Sequence, residues 1–162
     1  MSIRGSWLTG GIVIAVPPGS SEAPASRRGD PVAGLSARVD LVVGQRDTAL
    51  ALGSGDVAVL ATPRLIALCE EASCRAVQGR LGTGRTSVAT RLQFDHLAPV
   101  AVGATVTAEA TLERVEGRRL VFTLSATLRS DARSGLVGAG RLTRVLVDEA
   151  AFLAKAGAAV AG

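Results

Sequence analysis

The chain has 162 residues, 48% apolar and 20% charged, which is the size and composition of one globular domain with its own core, not of a disordered or membrane-spanning chain. The 18 Lys and Arg against 14 Asp and Glu give a net charge of +4, and Lys155 is the only lysine. With no tyrosine, three phenylalanines, one tryptophan and one histidine, His96, the chain lacks the residues for multi-histidine zinc sites, aromatic cages or stacking platforms for single-stranded nucleic acid. Acid–base chemistry near neutral pH has to run through His96 or a carboxylate.

Residues 1–34 read as a flexible arm, with Pro17, Pro18, Pro24 and Pro31 set among Ser20, Ser21 and Ser26. The run Gly11 to Val16 behind Arg4 is a weak imitation of a secretory signal, short and interrupted by glycine. No run approaches the ~20 apolar residues of a membrane span. The expected location is the cytoplasm, with no membrane partner.

The patterns sharpen after Ser36. Arg38 to Val43 alternates and closes on Gly44 as a first strand. A glycine-rich loop, Gly53-Ser54-Gly55-Asp56, leads through the apolar Val57 to Ala61 into Thr62-Pro63. There the Thr hydroxyl is expected to cap a helix and Pro to occupy its first turn. The helix presents Leu65, Ile66, Leu68, Cys69, Ala72 and Ala76 and ends at Gly79 and Gly82. Ala61, Ala67 and Val77 widen its apolar face, which predicts a helix wrapped by other elements.

The rest is strand after strand. Val88 to Leu97 is one; Thr105 to Val115 alternates strictly, with Val106, Ala108, Ala110 and Leu112 on one side. Glu116-Gly117 turns the chain, Leu120 to Leu128 alternates on the way back, and Leu136 to Val147 follows a turn at Ser134-Gly135. The prediction is an α+β fold: an antiparallel sheet curled around one long central helix, with strands joined mainly by hairpins. The domain is expected over 35–155, with 156–162 as a tail. There is no βαβ alternation and no phosphate-loop glycine motif, which disfavours nucleotide enzymes.

Cys69 and Cys74 are five apart on the helix, about 140° around its axis, too far for a mutual disulfide. Both read as buried small thiols, compatible with a reducing compartment.

Three residues invite a chemical reading, and each has a plainer one. Glu70 and Glu71 lie mid-helix about 100° apart, so one can face inward while the other meets solvent; periodicity alone reads both as a solvated helix edge. His96, near a strand end, reads first as a hydrogen-bonded structural residue. Its neighbour Asp95 points to the opposite strand face and is poorly placed to orient it. Thr62 is accounted for as a helix cap.

The stretch from Gly53 through Thr62 to Glu70, followed by Thr86 to Pro99 with His96, and the hairpin Arg114 to Leu120, resemble the hotdog-fold thioesterases of the fluoroacetyl-CoA thioesterase type over roughly residues 36–155. The resemblance implies a Thr, Glu, His triad on Thr62, Glu70 and His96 without a gap. It also implies hydrolysis of a small or short-chain acyl-CoA, with no cofactor and no metal. Two departures stand out: Ala89 replaces a glycine common in the family, at an amide position near the thioester, and Gly53 and Asp56 fall where the fluoroacetyl-specialised branch closes its pocket with phenylalanines. A general acyl-CoA thioesterase is therefore expected rather than a fluoroacetyl specialist.

Thr62 and Glu70, eight residues apart, stand ~12 Å apart along one helix. A triad acting as a unit would draw on a second subunit, so a homodimer or dimer of dimers is expected. Arg85, Arg91, Arg118 and Arg119 are candidates for the phosphates of coenzyme A; no recognition motif supports a nucleic-acid partner. The alternative is a hotdog module that binds acyl-CoA without turning it over. A hydratase on the same fold lacks its Asp and His spacing, since His96 lies 40 residues beyond Asp56.

Overall fold

The computed structural model describes residues 29–129 and 134–159. Most of the arm expected over 1–34, with its signal-like run, lies outside them. The elements run β1 (Ser36–Val42), a 3-10 turn (Gln45–Asp47), α1 (Ala49–Leu52), α2 (Thr62–Ala76), β2 (Arg85–His96), β3 (Thr105–Glu116), β4 (Arg119–Arg129), β5 (Gly135–Asp148) and α3 (Glu149–Ala158). The strands form one antiparallel sheet in the order β1-β3-β4-β5-β2. The β3–β4 and β4–β5 links are hairpins. β2 and β3 are not neighbours: β2 pairs with β5 and β3 with β1, placing the strand after the helix on a sheet edge. Alternation reveals strands but not which strand pairs with which.

One sheet face buries the alternating set read from the sequence. Val106, Ala108, Ala110 and Leu112 of β3 and Leu120, Phe122, Leu124 and Ala126 of β4 are at most 1% exposed. Small residues at Ala108, Ala110 and Ala126, with Ala72 opposite on α2, let the helix backbone approach the sheet closely.

α2 buries Leu65, Leu68, Cys69, Ala72, Ser73 and Ala76 and lies mainly over β1 and β3. Ala67, Cys74 and Arg75 are exposed. The expected pair of buried thiols is corrected: within the curl of the sheet α2 buries Cys69 and leaves Cys74 on its open side. The inner residues of edge strand β2, including Leu92, Phe94 and His96, stay half-buried.

Two local readings also change. Thr62 is the first helical residue, not the cap; the cap position is Ala61, whose side chain makes no capping bond. The threonine that caps is Thr48, whose hydroxyl accepts from the Ala51 N–H of α1 at 3.2 Å. The helix stops at Ala76, before Gly79, which takes φ +74° in the turn beyond. α3, unread in the sequence, is capped by Asp148 through the Ala151 N–H at 2.8 Å. Among the described residues no helix is long and apolar enough to cross a membrane.

Candidate active site

The first turn of α2 meets the last residue of β2. Thr62 Oγ1 and His96 Nδ1 are 2.9 Å apart, joining positions 34 residues distant in sequence. The backbone permits this because β5 carries glycine beside β2. Gly138 pairs with His96 and Gly140 with Phe94. A Cβ on Gly138 would stand 2.6 Å from Phe94 Cζ, and one on Gly140 would strike the Gln93 carbonyl. Side chains there would push the end of β2 away from the helix.

Thr62 is exposed and His96 half-buried behind it. The second ring nitrogen, Nε2, is buried and has no hydrogen-bond partner among the described residues. Asp95 is exposed, so the group orienting the imidazole is Thr62. A surface hydroxyl backed by an imidazole nitrogen is the arrangement that activates an oxygen for attack on a carbonyl.

Glu70 lies two turns further along α2, ~12 Å by helix rise, and does not reach the pair within one chain. The two adjacent carboxylates have separate fates. Glu71 forms an i,i+4 ion pair with Arg75 at 2.6 Å, whereas the half-buried Glu70 carboxylate has no hydrogen bond or ion pair among the described residues. Next to it, burial and the Glu70 charge push the Cys69 thiol up to about 12.

Ala89 stands on the inner side of β2, exposed at the sheet edge and paired with Arg144; the register slips between Ala89 and Arg91. Arg144 was not singled out in the sequence. It is 7% exposed, and its guanidinium donates to Ser87 Oγ at 2.9 Å, the Ser87 carbonyl at 2.7 Å and Ser73 Oγ at 3.3 Å. It has no acidic partner within ion-pair distance among the described residues. A desolvated cation with only neutral acceptors is costly and uncommon. Its sequence signal was a charge on the apolar phase of an alternating strand, between Leu142 and Leu146.

Asp47 is the second buried charge the sequence did not flag, at 7% exposure. Its carboxylate accepts from the Gly44 N–H and from Arg64 Nε, both at 2.8 Å. Burial pushes this carboxyl up, but the Gly44 bond and the Arg64 guanidinium, with Arg46 nearby, outweigh it and hold the group below its ordinary value.

The other candidates do not converge on the Thr62–His96 pair in one chain. Gly53, at φ +65°, and Asp56 lie exposed in the loop after α1. Arg91 is exposed on the outer sheet face. Arg85, Arg118 and Arg119 gather at the opposite end of the sheet, ~36 Å from His96 at ~3.3 Å per strand residue. Arg118 is engaged there, donating Nε and Nη2 to the Leu146 carbonyl at 3.0 and 2.9 Å. Arg85 lines a cleft of about 480 Å³ with Cys74, Gln78, Thr83, Thr86 and Ser87. The described residues contain no cluster of three or more potential metal ligands from His, Cys, Asp and Glu.

An antiparallel sheet of this order closed over one long helix is the hotdog fold, and a hydroxyl held on an imidazole at its open edge suits acyl transfer. The class is that of the hotdog-fold thioesterases. More narrowly, residues 43–150 match the profile of the fluoroacetyl-CoA-specific thioesterase family, FlK, and the chain belongs to that family, an acyl-CoA thioesterase by membership. It is 36% identical over 97 residues, 60% of this chain and 67% of the relative, to the fluoroacetyl-CoA thioesterase of Streptantibioticus cattleyicolor. A crystal structure of a variant of FlK in complex with fluoroacetate and CoA superposes with a TM-score of 0.66 at 31% identity, covering 74% of this chain and 98% of that one. A thioesterase superfamily member from Thermus thermophilus superposes at 0.69 with 26% identity, covering 76% and 90%.

Proposed function

We propose that the protein hydrolyses a small or short-chain acyl-CoA thioester to the free acid and coenzyme A, at two equivalent sites of a homodimer. Thr62 and His96 come from one protomer, and Glu70 of the partner subunit completes each site. The observation that carries this reading is the 2.9 Å bond between Thr62 Oγ1 and His96 Nδ1, at the edge of a chain that belongs to a thioesterase family.

In the reaction His96 takes the Thr62 proton as Oγ1 adds to the thioester carbonyl. The C–S bond then breaks, the thiolate leaves with that proton, and the acyl group rests on Thr62. Water cleaves this ester with Glu70 as base, returning the Thr62 hydroxyl and releasing the acid. Ala89, where the ladder is irregular, stands about 23 Å along β2 from His96 of its own chain, so the oxyanion donors are the backbone amides there in the partner subunit.

A dimer is supported by the shape of the single chain. β2 is a 12-residue edge strand, an exposed pairing template. Its inner side chains are half-buried because α2 covers the other half of the sheet. Two such strands paired antiparallel about a two-fold axis set the Arg85 end of one beside the His96 end of the other. That brings the basic residues and cleft of one protomer toward the Thr62–His96 pair of its partner, where the phosphates of coenzyme A need cations. With Gly53 and Asp56 in place of aromatic bulk, the acyl pocket suits small acyl groups generally rather than fluoroacetyl alone.

The separation of Glu70 from the pair is also what a module that binds acyl-CoA without turnover would show. Complementation separates the two readings. Glu70→Gln and Thr62→Val are each expected to lose thiol release from an acyl-CoA panel, and co-refolded mixtures to regain about a quarter of the wild-type sites, because one site of each heterodimer is intact. No thiol release by the wild type supports the binding module; inactive single variants that do not complement sink the shared site.

A further inference from the structure

The α2 N-terminus is unusually poorly secured by its own sequence. Ala61 provides no side-chain cap, the first turn holds no acidic residue, and Arg64 places a cation at the positive end of the helix dipole, where it is unfavourable. An end of this kind frays. Thr62 is the residue that fraying would carry off His96.

What secures this end comes from a turn 15 residues earlier. The Asp47 carbonyl accepts the Ala61 N–H at 2.9 Å, and its carboxylate takes Arg64 Nε at 2.8 Å. Asp47 therefore grips the chain one residue before Thr62 and two residues after it. It also supplies, from outside the helix, the negative charge that the first turn lacks. The carboxylate is itself fixed by the Gly44 N–H at 2.8 Å, and a Cβ on Gly44 would crowd Asp47 Oδ2 at 3.3 Å. The adjoining bridge between Thr48 and Leu60, with the Ala49 N–H on the Val59 carbonyl at 2.8 Å, ties the same two segments together.

We propose that Asp47, acting through Arg64 and Ala61, is the positioning residue that holds the Thr62 hydroxyl on His96. Its place in turnover rests on the thioesterase reading above; its hold on Thr62 is readable without it.

His96 is the only histidine, so its imidazole gives an unambiguous NMR signature of the bond at Nδ1. The experiment compares wild type, Asp47→Asn, Arg64→Met and Thr62→Val by side-chain 15N and 1H spectra of His96. It adds kcat and KM on acetyl-CoA, well below the melting temperature of every variant. Leu112→Ala, a buried core change toward the opposite end of β3 from the Gly44–Asp47 turn, is the control for general loss of stability. Asp47→Asn and Arg64→Met are expected to shift the His96 signals toward those of Thr62→Val and to lower kcat about tenfold or more, with KM within about threefold. Leu112→Ala should leave the His96 spectrum and kcat in place. If Asp47→Asn lowers the melting temperature but keeps the wild-type His96 spectrum, Asp47 merely stabilises the fold and the proposal is overturned. A wild type inactive on acyl-CoA would defeat the thioesterase reading while the spectra still decide the role of Asp47.

Discussion

The Thr62 hydroxyl and the His96 imidazole meet at 2.9 Å although they stand at the outer ends of two consecutive elements, 34 residues apart in sequence. Thr62 opens the helix, His96 closes the edge strand, and Asp47 on one side and the glycines of β5 on the other bring the two ends together. The bond leaves His96 Nε2 buried without a partner among the described residues. Such an orphaned atom is an expense in stability that persists where function holds it.

That orphan makes the effects of removing the imidazole diverge. Replacing an unsatisfied buried polar group by an apolar one of similar size is near neutral or stabilising. His96→Leu should therefore keep or raise the thermal midpoint in calorimetry while thiol release falls by on the order of a hundredfold or more. A large drop in the midpoint would show that Nε2 has a partner in solution.

Arg144 offers the opposite test. Its planar fork reaches three oxygens on Ser73 and Ser87. A lysine keeps the charge but cannot span them, so Arg144→Lys should cost about 1–2 kcal/mol and lower the thermal midpoint by several degrees. An unchanged midpoint would mean the fork is not what holds the buried charge.

The two thiols should react very differently. Burial and the Glu70 charge push Cys69 up to about 12, and the side chain is buried, while Cys74 is exposed. Iodoacetamide at about pH 8 should alkylate Cys74 in the folded protein and spare Cys69, which should react only once the chain is unfolded. Mass spectrometry of the digested protein reads this directly.

Asp47 sets a sign for acid stability. Its folded value lies below the ordinary 3.8, so its contribution is fully present above that value and is lost as pH falls through the depressed folded one. In chemical denaturation, wild type should exceed Asp47→Asn in stability at about pH 6, and the gap should close as the pH drops below about 4. A gap that is constant into strong acid would mean the carboxylate charge is not what stabilises the turn.

Much of this protein was legible from residue order. The alternation of β3 and β4, with Val106 to Leu112 and Leu120 to Ala126 on the core side, follows from a side-chain period of two, and Pro63 marked the opening of α2. The resemblance carried by Thr62, Glu70 and His96 pointed to the family. Local pattern could not say that β2 skips β3 to pair with β5, since strand pairing depends on contacts distant in sequence. For the same reason Thr62 looked like a cap: capping is a local rule, and only the arrival of β2 shows the hydroxyl committed to His96. Arg144 and Asp47 looked like ordinary surface charges because burial is a property of the assembled sheet. The sequence by itself determined the elements, the core face and the chemical inventory. The tertiary structure alone decided which hydroxyl meets the imidazole and which charges are desolvated.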